Sequence, residues 1–254
     1  MAYNANLQLA GRKILVTRPF KQANMLARLI EQQGGEVILL PVIDIVPVDV
    51  VEWQMWQPQQ TDWLMFVSPN AVACFMAGYQ GHLPKHIKLV AAGEGTAQAM
   101  REHGLQVDLQ PELSNGSEGL LPLPQWHQMH QQQVVIVRGD GGRELMADTL
   151  RARGATVTYL EVYRRQLPVV SASVLQQACL ADWLTVTSVN GVKNLLHLLS
   201  AKRLEILEKP LLVVSNRIRD FAIEQGFKRV YVSSDVSDIA MVQRLIEMGS
   251  DYGS

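Results

Sequence analysis

Cysteine is scarce in this sequence of 254 residues: only Cys74 and Cys179 occur. Each lies in an apolar run without metal-ligand spacing, which excludes a disulfide framework and a cysteine-built zinc site. The expectation is two buried free thiols in a reducing cytoplasm. Net charge is equally scarce, with 23 basic residues against 24 acidic ones. No basic patch or run stands out, so neither a nucleic acid nor a membrane surface is an expected partner. An anionic ligand must then be met by local charges or backbone amides. The common catalytic signatures are missing too: no HExxH, no Gly-x-Ser-x-Gly, no Walker loop and no paired CxxC.

Long apolar spans are also lacking. Trp63 to Pro84 is free of Asp, Glu, Lys and Arg, but Ser68-Pro69-Asn70 and Gly78 interrupt it. Turn residues at those points predict a buried strand followed by a helix, not a membrane span. The first residues, Met1 to Leu7, do not show the basic-then-apolar order of a signal peptide. A soluble protein is expected.

What the sequence does contain is a copy of itself. Lys13-Ile14-Leu15-Val16-Thr17-Arg18 returns as Val134-Val135-Ile136-Val137-Arg138, with Arg18 and Arg138 120 positions apart. At the same offset Gly34-Gly35-Glu36-Val37 returns as Gly154-Ala155-Thr156-Val157. Asp62-Trp63-Leu64 with Ser68 and Asn70 likewise returns as Asp182-Trp183-Leu184 with Ser188 and Asn190. Solenoid repeats have periods of only about 20–50 residues, so a period this long means a duplicated, domain-sized unit. A chain of this length accommodates two such units, each with its own core, and clefts between domains are common ligand sites.

Short β-branched runs alternate with amphipathic stretches in both copies. Strands are predicted at 14–17, 37–40, 64–67, 89–92 and 107–109, then at 134–137, 157–160, 184–187, 211–214 and 230–232. Helices fall between them, the first over 22–33 with Met25, Leu26, Leu29 and Ile30 on one face. This order predicts an α/β protein of two flavodoxin-like, parallel-sheet domains. Segments 41–47 and 161–167, followed by Pro168, read as extended connections, because proline punctuates both.

Candidate site residues cluster where strands give way to helices. Gly93-Glu94-Gly95 resembles the start of a dinucleotide fingerprint, but the third glycine is replaced by Gln98, and the copy reads Ser215-Asn216-Arg217. A nicotinamide site is disfavoured, which leaves a tight turn whose amides can still hold an anion. The run Val137-Arg138-Gly139-Asp140-Gly141-Gly142-Arg143-Glu144 offers arginines and helix-start amides suited to carboxylates or phosphates. The alternative is a solvated turn with an Arg–Glu ion pair. Ser68 and Ser188 read as helix caps whose hydroxyls can also donate to a ligand. Tyr163 is either a packing residue or a phenol at the mouth of the cleft between domains.

Taken together these pieces resemble the uroporphyrinogen-III synthase family over nearly the whole chain. They are Ile14-Leu15-Val16-Thr17-Arg18-Pro19, Arg138-Gly139-x-Gly141-Gly142-Arg143-Glu144-Leu145, Val162-Tyr163-Arg164-Arg165, Val186-Thr187-Ser188 with Asn190-Gly191, and Leu212-Val213-Val214-Ser215. The resemblance implies a monomeric, cytoplasmic, cofactor-free lyase of tetrapyrrole synthesis. Its substrate would be hydroxymethylbilane, handed over by hydroxymethylbilane synthase, and its product uroporphyrinogen III. It also implies that 1–40 and 168–254 form one discontinuous domain and 48–160 the other, with 41–47 and 161–167 as a two-stranded hinge. Tyr163 matches the tyrosine proposed to assist departure of the hydroxyl, and Thr96 and Ser188 match polar positions lining the cleft. Arg138, Arg143 and Lys193 are read as carboxylate contacts, and Ser68 and Gly141 complete the expected site. Many members carry Gly-x-x-Thr where this chain has Ser215-Asn216-Arg217-Ile218, so Ser215 or Asn216 takes that place. The rival readings are a non-catalytic two-domain binding or sensor protein and a nucleotide-dependent oxidoreductase.

Overall fold

The computed structural model describes residues 7–53, 55–112 and 116–251. Residues 1–6 and 252–254, which the sequence reading assigned to the first domain, lie outside the described residues. In chain order the early elements are β1 (Lys13–Val16), α1 (Phe20–Gln32), β2 (Glu36–Leu39), β3 (Asp44–Pro47), β4 (Trp63–Phe66), α2 (Pro69–Gly78), β5 (Lys88–Ala91), α3 (Glu94–Glu102) and α4 (Ser117–Leu120). There follow β6 (Gln133–Gly139), α5 (Leu145–Ala152), β7 (Thr156–Gln166), α6 (Ala172–Cys179), β8 (Trp183–Val186) and α7 (Val189–Leu198). The last are α8 (Arg203–Glu208), β9 (Leu211–Val213), α9 (Asn216–Glu224), β10 (Val230–Val232) and α10 (Asp238–Asp251).

The chain divides into two compact units. One takes the described residues up to Asp44 and from Gln166 onward, the other Ile45–Arg165. In the first unit the sheet order is β10-β9-β8-β1-β2 with parallel neighbours throughout. Counted along the chain within the unit this is 2-1-3-4-5, the flavodoxin-like order. In the second unit the order is β3-β7-β6-β4-β5, and β5, β4, β6 and β7 pair in parallel.

Both sheets are covered on both faces, as parallel sheets require. Strand alternation sorts the side chains: Leu15 joins one core cluster while Ile14 and Val16 join another. In the second unit Leu64 and Phe66 face one way and Met65 the other. Helix α1 buries Ala23, Leu26 and Ile30, but Met25 is 58% exposed rather than on the buried face. The buried stripe follows 3- and 4-residue steps, and Met25 falls outside it.

Local chemistry is repeated between the units. The Asp182 carboxylate accepts the Lys13 backbone N–H at 2.8 Å, and Asp62 accepts that of Gln133 at 2.7 Å. Ser68 caps α2 by accepting the Ala71 N–H at 3.1 Å, and Ser188 caps α7 by accepting that of Gly191 at 2.9 Å.

Several elements differ from expectation. The 107–109 strand reduces to one parallel bridge between Leu109 and Val90; Pro111, two residues on, has no N–H with which to extend a ladder. The 161–166 stretch, read as a connection, continues β7, and β3 lies beside it at the sheet edge. Proline is tolerated there because an edge strand has one side without a ladder. Helices α4, α6 and α8 were not anticipated. Both cysteines lie outside any disulfide and are half-buried rather than fully buried, and burial raises the Cys179 thiol above its ordinary pKa. Among the described residues no helix is long and apolar enough to cross a membrane, and no cluster of metal-ligating side chains occurs.

Candidate active site

Parallel strands all end at the same edge of a sheet, so the loops after β4, β5 and β6 gather at one place in the second unit. The chain leaves β4 toward β5 on one side and β6 lies on the other, which opens a crevice at the strand carboxyl ends. A cavity of about 570 Å³ lies there, lined among others by Gly93, Thr96, Arg138, Gly141, Arg143 and Arg165. A larger hollow of about 690 Å³, lined by Trp53, Trp56, Thr61 and Tyr159, contains none of the sequence-predicted residues. The smaller cavity is therefore the candidate site.

Two glycine positions shape it. Gly141 has φ +63°, a left-handed conformation that lets the β6–α5 loop turn with its backbone toward the cavity. Gly139 serves by lacking a side chain, since a Cβ there would stand 2.4 Å from Cε2 of Tyr163. The β6–β7 register shifts at this point, so that Gly139 faces Tyr163 directly. With nothing projecting from Gly139, the Tyr163 ring crosses the end of β6 and its hydroxyl lies 3.2 Å from Ser68 Oγ, beyond β4.

Tyr163 is fully buried in the core of its unit rather than open at a mouth. Its hydroxyl accepts a hydrogen bond from Arg165 Nη2 at 2.8 Å, and the Arg165 guanidinium lies 5.2 Å from the ring centroid. Arg165 was not singled out as a site residue in the sequence reading. The signal was present, since residues two apart on a strand share a face and Arg165 follows Tyr163 at that spacing.

The two predicted arginines are internally paired. Arg138, with a side chain only 11% exposed, bridges Glu144 at 2.9 Å and Glu161 at 3.2 Å and lies 3.5 Å over the Tyr159 ring. Burial disfavours its charge, but the bonds to Glu144 and Glu161 outweigh that and raise its pKa. The Tyr159 hydroxyl and Arg138 together hold the Glu144 carboxyl below its ordinary range. Tyr159 is pushed up, first by burial and then by Glu144. Arg143 is largely exposed and pairs with Glu118 at 2.6 Å. The ion pair left open by the sequence is thus present at both arginines. Thr96, 4% exposed, sits in the first turn of α3 against the cavity.

The remaining predicted residues belong to the other unit, also at the carboxyl ends of their strands. Ser188 caps α7 after β8, Lys193 on that helix is exposed and lies 5.4 Å from the Phe221 ring, and Asn216 opens α9 after β9.

The comparisons with known proteins agree with one another. The family model described as Uroporphyrinogen-III synthase HemD matches residues 24–243. The uroporphyrinogen-III synthase of Escherichia coli strain K12 is 31% identical over 245 residues, 91% of this chain and 99% of that one. That of Proteus mirabilis is 31% identical over 160 residues, 60% of this chain and 79% of that one. Among solved structures, uroporphyrinogen-III synthetase from Helicobacter pylori 26695 aligns with a TM-score of 0.66 at 17% identity, covering 93% of this chain and 99% of the other. A mutant synthase from the extreme thermophile Thermus thermophilus aligns at 0.59 and 20% identity, covering 95% of this chain and all of the other. At such identities these structures establish the fold alone. Because the family match runs through both units and the Escherichia coli relative covers 91% of the sequence, the chain belongs to the uroporphyrinogen-III synthase family.

Proposed function

We propose that this chain converts hydroxymethylbilane into uroporphyrinogen III, closing the macrocycle with inversion of the fourth ring and loss of water. The observation that carries this reading is family membership across both units; the family is one of cyclising lyases. In the proposed reaction the pyrrole nitrogen pushes out the terminal hydroxyl while the Tyr163 phenol gives it a proton. The C–O bond breaks, water departs, and an electron-deficient azafulvenium cation remains beside the phenolate. The substituted carbon of the last pyrrole attacks it, and the resulting spirocycle opens and recloses with that ring reversed. The proton lost when the last ring regains aromaticity restores the phenol.

The substrate cyclises without inversion when left alone, so the protein's work is largely to fold the bilane into the attack geometry, a proximity effect. Arginines and helix-start amides need only grip some of its eight carboxylates, which agrees with a chain poor in catalytic motifs. Thr96, Gly141 and Arg143 line the candidate cavity, with Tyr163 and Ser68 beside it. Ser188, Lys193 and Asn216 are proposed as further substrate-binding residues. We take the enzyme to act as a monomer in the cytoplasm.

We also infer that the two sheets are copies of one duplicated unit, each completed by strands from the other sequence repeat. The reciprocal bonds of Asp62 to Gln133 and Asp182 to Lys13 support this, because each joins one repeat to the other.

The deciding assay supplies freshly generated hydroxymethylbilane, oxidises the products and separates the type I and type III isomers. Type III should predominate. Type I alone, at the uncatalysed rate, would overturn the reading, and binding without turnover would favour the sensor alternative.

A further inference from the structure

We propose that Arg165 receives a substrate carboxylate at the reacting centre, and that the same guanidinium positions the Tyr163 phenol. The proposal rests on the function given above and concerns a residue that neither the sequence reading nor the family match assigned.

Three observations converge on Arg165. Its side chain lines the candidate cavity and reaches the hydroxyl of Tyr163 at 2.8 Å. Among the described residues its guanidinium has no carboxylate partner. Its neighbours differ: Arg138 is held by Glu144 and Glu161, Arg143 by Glu118, and Arg164 by Glu52 at 2.7 Å. The nearby Asp140 carboxylate accepts the Arg165 backbone N–H at 3.2 Å. The cavity thus holds one arginine whose charge is not already matched.

The hydrogen-bond inventory extends the argument. A guanidinium carries five N–H donors in a planar fork, of which Tyr163 takes one. The others suit a bidentate grip on a carboxylate. The phenol oxygen accepts from Arg165, so its own proton points elsewhere, toward Ser68 Oγ in the free protein or toward the leaving hydroxyl once substrate is bound. When that proton transfers, the O–H bond of Tyr163 breaks and one forms on the departing oxygen. The positive charge beside the phenolate stabilises it until the final deprotonation returns a proton.

The test is a double-mutant cycle of Arg165→Ala and Tyr163→Phe, measured with freshly generated hydroxymethylbilane. Hydrogen bonds to charged groups are worth enough that Arg165→Ala should raise KM about 10–100-fold, and kcat should fall about tenfold as well. In the Tyr163→Phe background the Arg165→Ala change should raise KM as before but lower kcat no further, because no phenol remains to be positioned. Arg165→Lys keeps the charge without the fork, so it should recover part of KM and little of kcat. A KM within about twofold of wild type in Arg165→Ala, or kcat losses that multiply in the double variant, would overturn the proposal. Should Arg165→Ala lose its cooperative thermal transition, Arg165→Gln, which keeps a donor but no charge, carries the same KM expectation. A wild-type chain that yields no type III isomer would refute the function itself, whereas normal wild-type turnover with an unchanged Arg165→Ala KM refutes only this role.

Discussion

Tyr163 shows how a polar group is kept in a core. Its ring is fully buried, and its hydroxyl is satisfied by Arg165 and Ser68. Tyr163→Phe keeps the ring and removes the hydroxyl, which should destabilise the fold by about 1 kcal/mol. General acid assistance is worth roughly 10²–10⁴-fold; the pyrrole already expels the hydroxyl, so kcat should fall at the low end of that range while the product stays type III. Wild-type kcat in this variant would reduce Tyr163 to a packing residue. Gly139→Ala makes a sharper test of geometry, because the new methyl would meet the Tyr163 ring. Overpacking of this kind costs about 1–3 kcal/mol, and both the urea midpoint and turnover should drop. Arg143→Ala, by contrast, should raise KM with kcat little changed, as expected for a carboxylate held alike in ground and transition states.

At the scale of elements, the helix caps and the β6–β7 ion-pair network can be separated by experiment. Ser68→Ala and Ser188→Ala should each lower stability by about 1 kcal/mol. A residue that only caps its helix leaves KM unaltered, so substrate kinetics will distinguish capping from binding. Glu144 precedes α5 and is held below the ordinary carboxylate range by Tyr159 and Arg138. A depressed pKa in the folded state adds stability above the unfolded pKa, and this is lost as pH falls through the folded value. Wild type should therefore melt above Glu144→Gln at neutral pH, and the two midpoints should converge in acid below the ordinary carboxylate range. Parallel curves at all pH values would show that Glu144 does not act through its charge.

For the whole molecule the test is which fragments fold. A fragment 48–160 holds nearly all of the second unit and should unfold cooperatively by itself. A fragment 1–125, one sequence repeat, should not, because β1, which carries β2 at the sheet edge, pairs with β8 of the distant chain rather than with β4 or β5. A cooperative transition in 1–125, followed by circular dichroism during heating, would sink this assignment.

The identity and order of most elements were legible in the sequence. Apolar periodicity and glycine or proline punctuation are local signals: 134–137 lies inside β6, and 184–187 is offset from β8 by one residue. The strand-end positions of Ser68, Thr96, Arg138 and Gly141 were legible for the same reason, since parallel strands expose their carboxyl ends together. Composition and periodicity did not reveal which strands share a sheet; the topology expected for 1–40 with 168–254 came from resemblance. Pairing of β1 with β8 spans more than half the chain and depends on burying both faces of a sheet at once. The charge state of the site was likewise out of reach. Whether Arg138 grips a ligand or Glu144 and Glu161, and whether Arg165 meets Tyr163, depends on which side chains the fold brings within hydrogen-bond distance. An arginine is charged wherever it stands in a sequence; only tertiary packing decides whether a carboxylate already cancels that charge.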